Sequence, residues 1–111
     1  MVALVVEDDP DVRELVTMIL EETLDQPILE CESAEAAIVL LDEKEVDVLV
    51  TDIELAGAMN GLELADIARR KRPAANVIVM SGRYAPEQIP KDTTFLQKPW
   101  RALELIREIQ K

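Results

Sequence analysis

Four apolar runs of strand length in this chain end at residues able to do chemistry. Val2–Val6 stops at Glu7-Asp8-Asp9, and Val48–Val50 leads through Thr51 to Asp52, with Glu54 two positions on. The run to Met80 stops at Ser81, and the run to Leu96 leads to Lys98. Short valine-rich runs bounded by polar residues read as strands buried on both faces. In an open parallel sheet, ligands sit in the crevice beyond the carboxyl ends of the strands. Carboxylates gathered there repel, and one pKa rises unless something positive stands between them. Oxygen ligands select a hard divalent ion, Mg²⁺ or Mn²⁺ in its place, which keeps waters exchangeable for a phosphate oxygen. A carboxylate beside such an ion, with a lysine and a hydroxyl, is equipment for accepting a phosphoryl group. Asp52 would be the nucleophile, Lys98 a second positive charge, and Ser81 a hydrogen-bond donor to a phosphoryl oxygen.

Helices must connect those strands. Asp9 is a suitable N-cap, with Pro10 at the first helical position and Val12, Leu15, Val16, Ile19 and Leu20 on one face. Asp9 is explained equally well by capping alone. Ile28–Cys31 reads as a short second strand, and Ser33 caps a second helix that buries Ala34, Ala37, Ile38 and Leu41. Gly61 introduces a third helix through about Arg72, whose basic end, Arg69-Arg70-Lys71-Arg72, suits the negative end of a helix dipole better than a nucleic-acid patch. Arg83–Lys91 contains Pro86 and Pro90 and is too broken for more than one or two turns. Trp100–Gln110 closes the chain as a helix with Leu103, Ile106 and Ile109 inward. Strand and helix alternate throughout, which makes an α/β fold with a parallel sheet covered on both faces the economical solution.

At 111 residues the chain is a single domain, 1–111. Its 49% hydrophobic and 32% charged residues are those of a folded globule and exclude disorder. A net charge of −11 argues against an electrostatic grip on nucleic acid or on an anionic membrane. One cysteine, Cys31, forms no internal disulfide and is expected to be a packing residue, which points to the cytoplasm. Val2–Val6 is too short, and too quickly followed by acids, for a signal peptide or a membrane span.

The segments LVVEDDPDVREL, VDVLVTDIEL followed by MNGLELA, VIVMSG and FLQKPW, in that order over essentially the whole chain, resemble the motifs of response-regulator receiver domains of two-component signalling. The resemblance implies a flavodoxin-like, doubly wound five-stranded sheet of order 2-1-3-4-5, for which receivers are themselves a standard instance. It implies Asp52 as phosphoacceptor, Asp8 as direct metal ligand and Glu7 acting on the metal through water. Glu54 would offer its backbone carbonyl to the metal. Ser81 corresponds to the switch hydroxyl, Lys98 to the family's lysine, and Phe95, otherwise a plain core residue, to the switch aromatic. The Lys98–Pro99 peptide is expected to be cis. The donor would be a histidine kinase or histidine phosphotransfer protein, and the chain would catalyse only its own phosphorylation and dephosphorylation.

The chain departs from the family in three ways. Ala56 stands where proline is usual, in a loop one residue longer before Gly61. Only 16 residues separate Ser81 from Lys98, so the fourth helix is expected to be shortened or irregular, and no dimer through that face is carried over. No output domain is present, so signalling is expected to act in trans on a separate downstream protein; a phosphate shuttle or sink, or a receiver cut from a longer polypeptide, are the other options. Glu54 and Arg83, each two positions past a strand-end residue, are expected to form an ion pair over Asp52 that shields the phosphoryl group from water and prolongs its life. The rival function is a receiver-like interaction module that works without phosphorylation. A metal-dependent phosphatase is disfavoured, because no second acid is placed as general acid and no lid sequence is present.

Overall fold

The computed structural model describes all residues, Met1–Lys111. Strands β1 (Val2–Val6), β2 (Ile28–Cys31), β3 (Val46–Asp52), β4 (Asn76–Ser81) and β5 (Thr94–Gln97) form one parallel sheet in the order β2-β1-β3-β4-β5. Helices α1 (Pro10–Thr23), α2 (Ala34–Glu43), α3 (Gly61–Lys71) and α4 (Ala102–Ile109) connect and close it. No helix is long and apolar enough to cross a membrane.

Alternation along the strands divides the core into two layers. Leu4, Val6, Leu49, Val77 and Val79 pack with α2 and α3 through Ala34, Ala37, Leu41, Leu64, Ala65 and Ala68. Ala3, Val5, Val48, Val50, Ile78 and Met80 pack with α1 and α4 through Val16, Ile19, Leu20, Leu105 and Ile109. Two helical faces differ from expectation. Leu15 is 51% exposed and Leu103 is 55% exposed. In α1 the buried stripe is centred on Val16, Ile19 and Leu20, which leaves Leu15 at its margin. In α4 the inward row is Leu105 and Ile109, one helical turn apart, with Ile106 half-buried beside them.

Local chemistry fixes the helix starts. Asp9 Oδ1 accepts from the amides of Asp11 and Val12, so Asp9 is a cap. Asn60 Oδ1 accepts from Leu62 and Glu63 N–H while Glu63 Oε1 accepts from Asn60 N–H, a reciprocal capping box. The basic end of α3 is consumed internally. Arg69 donates to the carbonyls of Pro73, Ala75 and Asp92; Arg72 donates to those of Leu41 and Lys44; and Lys71 pairs with Asp42 at 2.6 Å. Between β4 and β5 the only helical structure is a 3₁₀ turn, Pro86–Gln88. The fourth helix expected of the family is replaced by an irregular strap.

The loop after β3 is closed by Gly61 N–H donating to the Ile53 carbonyl at 2.8 Å. That brings Gly61 directly over the strand end: a Cβ at this position would lie 2.1 Å from the Asp52 carbonyl oxygen. Gly82 has open space, with its nearest neighbour, Lys98 Cβ, 3.9 Å away. Gly61→Ala is therefore expected to cost about 2 kcal/mol or more, as overpacking against backbone does, and Gly82→Ala far less. Urea denaturation of both variants checks this; equal midpoints would show that the close approach is not a constraint.

Candidate functional site

Sheet register assembles the site. Val6 pairs with Thr51 across β1 and β3, so Glu7 and Asp52 follow side by side. Asp52 pairs with Met80, and Ser81 with Gln97, which sets Ser81 and Lys98 at the same edge. Lys98 N–H donates to the Ser81 carbonyl at 3.0 Å, and the Lys98–Pro99 peptide is cis. Continuing the strand alternation, Glu7, Asp52 and Lys98 extend the rows that face α1 and α4.

Glu7 is 1% exposed and Asp52 5% exposed, while Asp8 lies at the mouth. Carboxylate oxygens of all three lie within 4.8 Å of one another. The Lys98 ammonium is 3.2 Å from Asp52 Oδ1 and 3.7 Å from Glu7 Oε1. Those two oxygens are buried and meet no other donor in hydrogen-bonding geometry. One amine thus faces two buried carboxylates, with a third at the entrance, and the set is short of positive charge. The donor chemistry, oxygens only with two of them orphaned, fits a hard divalent cation. The structure brings together Glu7, Asp8, Asp52 and Lys98 as expected from sequence; Asp9 stays outside the cluster as a helix cap, its N–H donating to Glu7 Oε2.

Electrostatics follow from that crowding. Burial, above all, pushes the Glu7 carboxyl up to about 7; the Asp9 amide opposes this and the Asp52 charge adds to it. Burial also raises Asp52, against the pull of Lys98. For Lys98, burial pulls the ammonium down, but Asp52 and Glu7 outweigh it and hold its pKa above the ordinary value.

Ser81 is fully buried, and its hydroxyl donates to Glu54 Oε1 at 2.9 Å. The expected Glu54–Arg83 ion pair does not exist. Glu54 turns to Ser81, and Arg83 contributes its backbone N–H to Ser81 Oγ at 2.9 Å while its side chain forms no ion pair. A buried hydroxyl is nearer and satisfies more geometry than an exposed guanidinium, whose desolvation would gain little. The proposed shield over Asp52 therefore lacks its structural basis. Phe95 is half-buried and packs against the α2/α3 layer, as Tyr84 and Ile89 also do. Cys31 is half-buried, and burial pushes its thiol up to about 11, as befits a packing residue.

Two supporting residues escaped the sequence reading. Arg13 Nη1 donates to the Glu7 carbonyl at 2.9 Å, and the same guanidinium lies 3.5 Å from Glu30 and 3.9 Å from Glu32. It ties the acidic turn to β2. The available signal was that Arg13 is the one base in an otherwise acidic helix. Glu35 Oε2, from the first turn of α2, accepts from Ala58 N–H at 3.2 Å and braces the loop after Asp52, where Gly57 adopts φ +103°.

In the metal-free protein the raised carboxyl makes stability depend on pH. A Glu7 that holds its proton more tightly folded than unfolded favours the folded state at low pH, and that advantage is lost as pH rises from about 4.5 through about 7. Unfolding free energy is expected to fall by up to about 3 kcal/mol between pH 5 and pH 8, with Asp52 acting in the same direction. Glu7→Gln should flatten most of this slope in urea titrations with a chelator present. An unchanged slope would mean Glu7 titrates normally.

The profile of the response regulator receiver domain matches residues 3–110. The chain is 31% identical over 109 residues to the nitrogen assimilation regulatory protein NtrX of Azorhizobium caulinodans, covering 93% of this chain and 24% of that protein. It is 29% identical over 113 residues to the response regulator receiver protein CpdR of Brucella abortus, covering 97% and 92% respectively. It spans about a quarter or less of the length of its NtrX-type relatives. Among solved structures it superposes on the receiver domain of the hybrid histidine kinase CckA with TM-score 0.82 and 27% identity, covering 99% of this chain and 96% of that one. A sheet of order 2-1-3-4-5, an acid cluster with a lysine at its carboxyl edge and a family match over nearly every residue lead to one conclusion: the chain belongs to the response regulator receiver domain family.

Proposed function

We propose that the chain accepts a phosphoryl group on Asp52 from a phosphohistidine of a histidine kinase or phosphotransfer protein. The observation that carries this reading is the Lys98 ammonium 3.2 Å from a buried Asp52 oxygen that has no other donor. In the transfer, an Asp52 oxygen forms a bond to phosphorus as the phosphorus–nitrogen bond of the donor breaks and the imidazole leaves. Lys98, fixed between Glu7 and Asp52, stabilises charge on the transferring oxygens. Glu7, Asp8 and Asp52, with the Glu54 carbonyl, would hold Mg²⁺ or Mn²⁺. When bound, the ion supplies charge neutralisation and an anchor for a phosphoryl oxygen. The walls formed by β1 and β3 keep Asp52 partly screened from water, which favours attack over solvation of the carboxylate. Ser81 would then hydrogen-bond the phosphoryl group and Phe95 would turn inward, shifting the population of surface states presented to a downstream protein. The setting is cytoplasmic, and the chain is a signalling domain with no substrate beyond its own aspartate.

Incubation with Mg²⁺ and a small acyl phosphate, followed by intact-mass measurement, is expected to show one added phosphoryl group, absent in Asp52→Asn. Lys98→Ala should slow its formation on the order of a hundredfold, in line with loss of a preorganised charge. Mg²⁺ should raise the melting temperature of the wild type and much less that of Asp8→Asn. No adduct under these conditions would favour a domain that binds its partner without phosphorylation. Turnover of unrelated phosphoesters would instead indicate a phosphatase.

A further inference from the structure

The Ser81 hydroxyl is saturated. It has one proton and two acceptor positions. The proton goes to Glu54 Oε1 at 2.9 Å, and the oxygen accepts from Arg83 N–H at 2.9 Å and from Tyr84 N–H at 3.3 Å. Nothing remains to offer a phosphoryl group on Asp52. The partner is itself held in a protein pocket: Glu54 is half-buried, and its other oxygen, Oε2, is buried with no hydrogen-bond partner. The Glu54 carboxylate therefore receives one hydrogen bond, and Ser81 makes it.

We infer that Glu54 is a latch that holds the Ser81 hydroxyl in the unphosphorylated arrangement and competes with the phosphoryl group for its single proton. This rests on the phosphoacceptor reading of Asp52 and specifies how that site is restrained. The exchange is one hydrogen bond for another: Ser81 O–H leaves the Glu54 carboxylate and donates to a phosphoryl oxygen, with no proton transferred. The freed carboxylate turns to water at the rim. Glu54 is a positioning residue, because it acts through Ser81 and reaches neither phosphorus nor the attacking oxygen. The latch lowers the fraction of phosphorylated molecules in which Ser81 has switched, because the phosphoryl group must outcompete a charged acceptor.

Beryllium fluoride with Mg²⁺ serves as the phosphoryl probe, with binding followed by the fluorescence of Trp100, the sole tryptophan. A hydrogen bond to a charged acceptor that must be broken weakens binding by roughly ten- to a hundredfold, so Glu54→Ala should tighten the probe by that factor. Glu54→Gln, whose amide oxygen still accepts from Ser81, should tighten it less than Glu54→Ala. In a Ser81→Ala background, Glu54→Ala should have no effect. In the metal-free, probe-free protein, Glu54→Ala should speed amide exchange at Arg83 and Tyr84, the two N–H groups that lean on the hydroxyl. Equal tightening with and without the Ser81 hydroxyl would overturn the latch and show that Glu54 acts only as a repelling charge. Equal effects of Ala and Gln would overturn it as well. A wild type that binds the probe while Glu54→Ala changes neither affinity nor exchange refutes the latch alone. A wild type that binds no probe refutes the phosphoacceptor reading and the latch together.

Discussion

One ammonium shared between two buried carboxylates is the interaction on which the site depends. Lys98 lies within ion-pair distance of both Glu7 and Asp52, and neither carboxylate oxygen it faces has another donor. Burying charge is costly unless it is paired and hydrogen-bonded, and pairing two anions with one cation leaves a deficit. Burial raises the pKa of both carboxyls, and for Glu7 the Asp52 charge adds to it. A site in this condition favours whatever brings further positive charge or draws off negative charge. The same poverty of positive charge among these carboxylates is what would make binding of a cation, and transfer of phosphate in its presence, favourable.

The carboxylates cannot relieve their repulsion by moving apart, because the sheet forbids it. Val5 and Val6 pair with Val50 and Thr51 at the carboxyl end of the ladder between the two central strands, and all four are fully buried. Helices press on both faces of these strands, so a shift of Glu7 away from Asp52 would break backbone pairing and open a cavity in one layer. Arg13 adds a clamp from α1 onto the Glu7 carbonyl. Gly61 crosses so near the Asp52 carbonyl that the strand end has no room to back away on that side. Rigid packing is thus the means by which an unfavourable electrostatic arrangement persists.

Much of this was legible in the chain because strand ends announce themselves. Apolar runs that stop at Glu7, Asp52 and Ser81, or just before Lys98, told which residues reach the crevice, and the short interval before Lys98 told that the helix there would be shortened or irregular. What the chain did not reveal were choices made among competing partners. Glu54 and Arg83 have opposite charges and matching offsets, yet Glu54 bonds the buried Ser81 hydroxyl and Arg83 offers only its amide. Which partner wins depends on depth and angle, and spacing carries neither. Leu15 and Leu103 failed for a related reason: a stripe at helical spacing has edges, and whether an edge residue is covered depends on its neighbours across the layer. Arg13 and Glu35 act across long sequence separations or on backbone groups, where no side-chain pattern marks the contact.

The shortened crossover and the saturated Ser81 belong to the same argument. A helix between β4 and β5 would hold its own shape through internal hydrogen bonds. The strap that replaces it has little of that: Ala85, Gln88 and Ile89 amides find partners within it, around a single 3₁₀ turn. Its form is therefore dictated by its two ends. At one end the Arg83 and Tyr84 amides hang on the Ser81 hydroxyl. At the other, Arg69 grips the carbonyl of Asp92, which adopts φ +62°, just before β5 begins. Tyr84 and Ile89 lie between, against the same layer as Phe95. A displacement of one buried oxygen at Ser81 is a displacement of the strap's root, and with Arg69 holding the far end the change has to be taken up by the segment between. In a chain without a helix between β4 and β5, the hydroxyl and the surface are joined by a handful of named contacts.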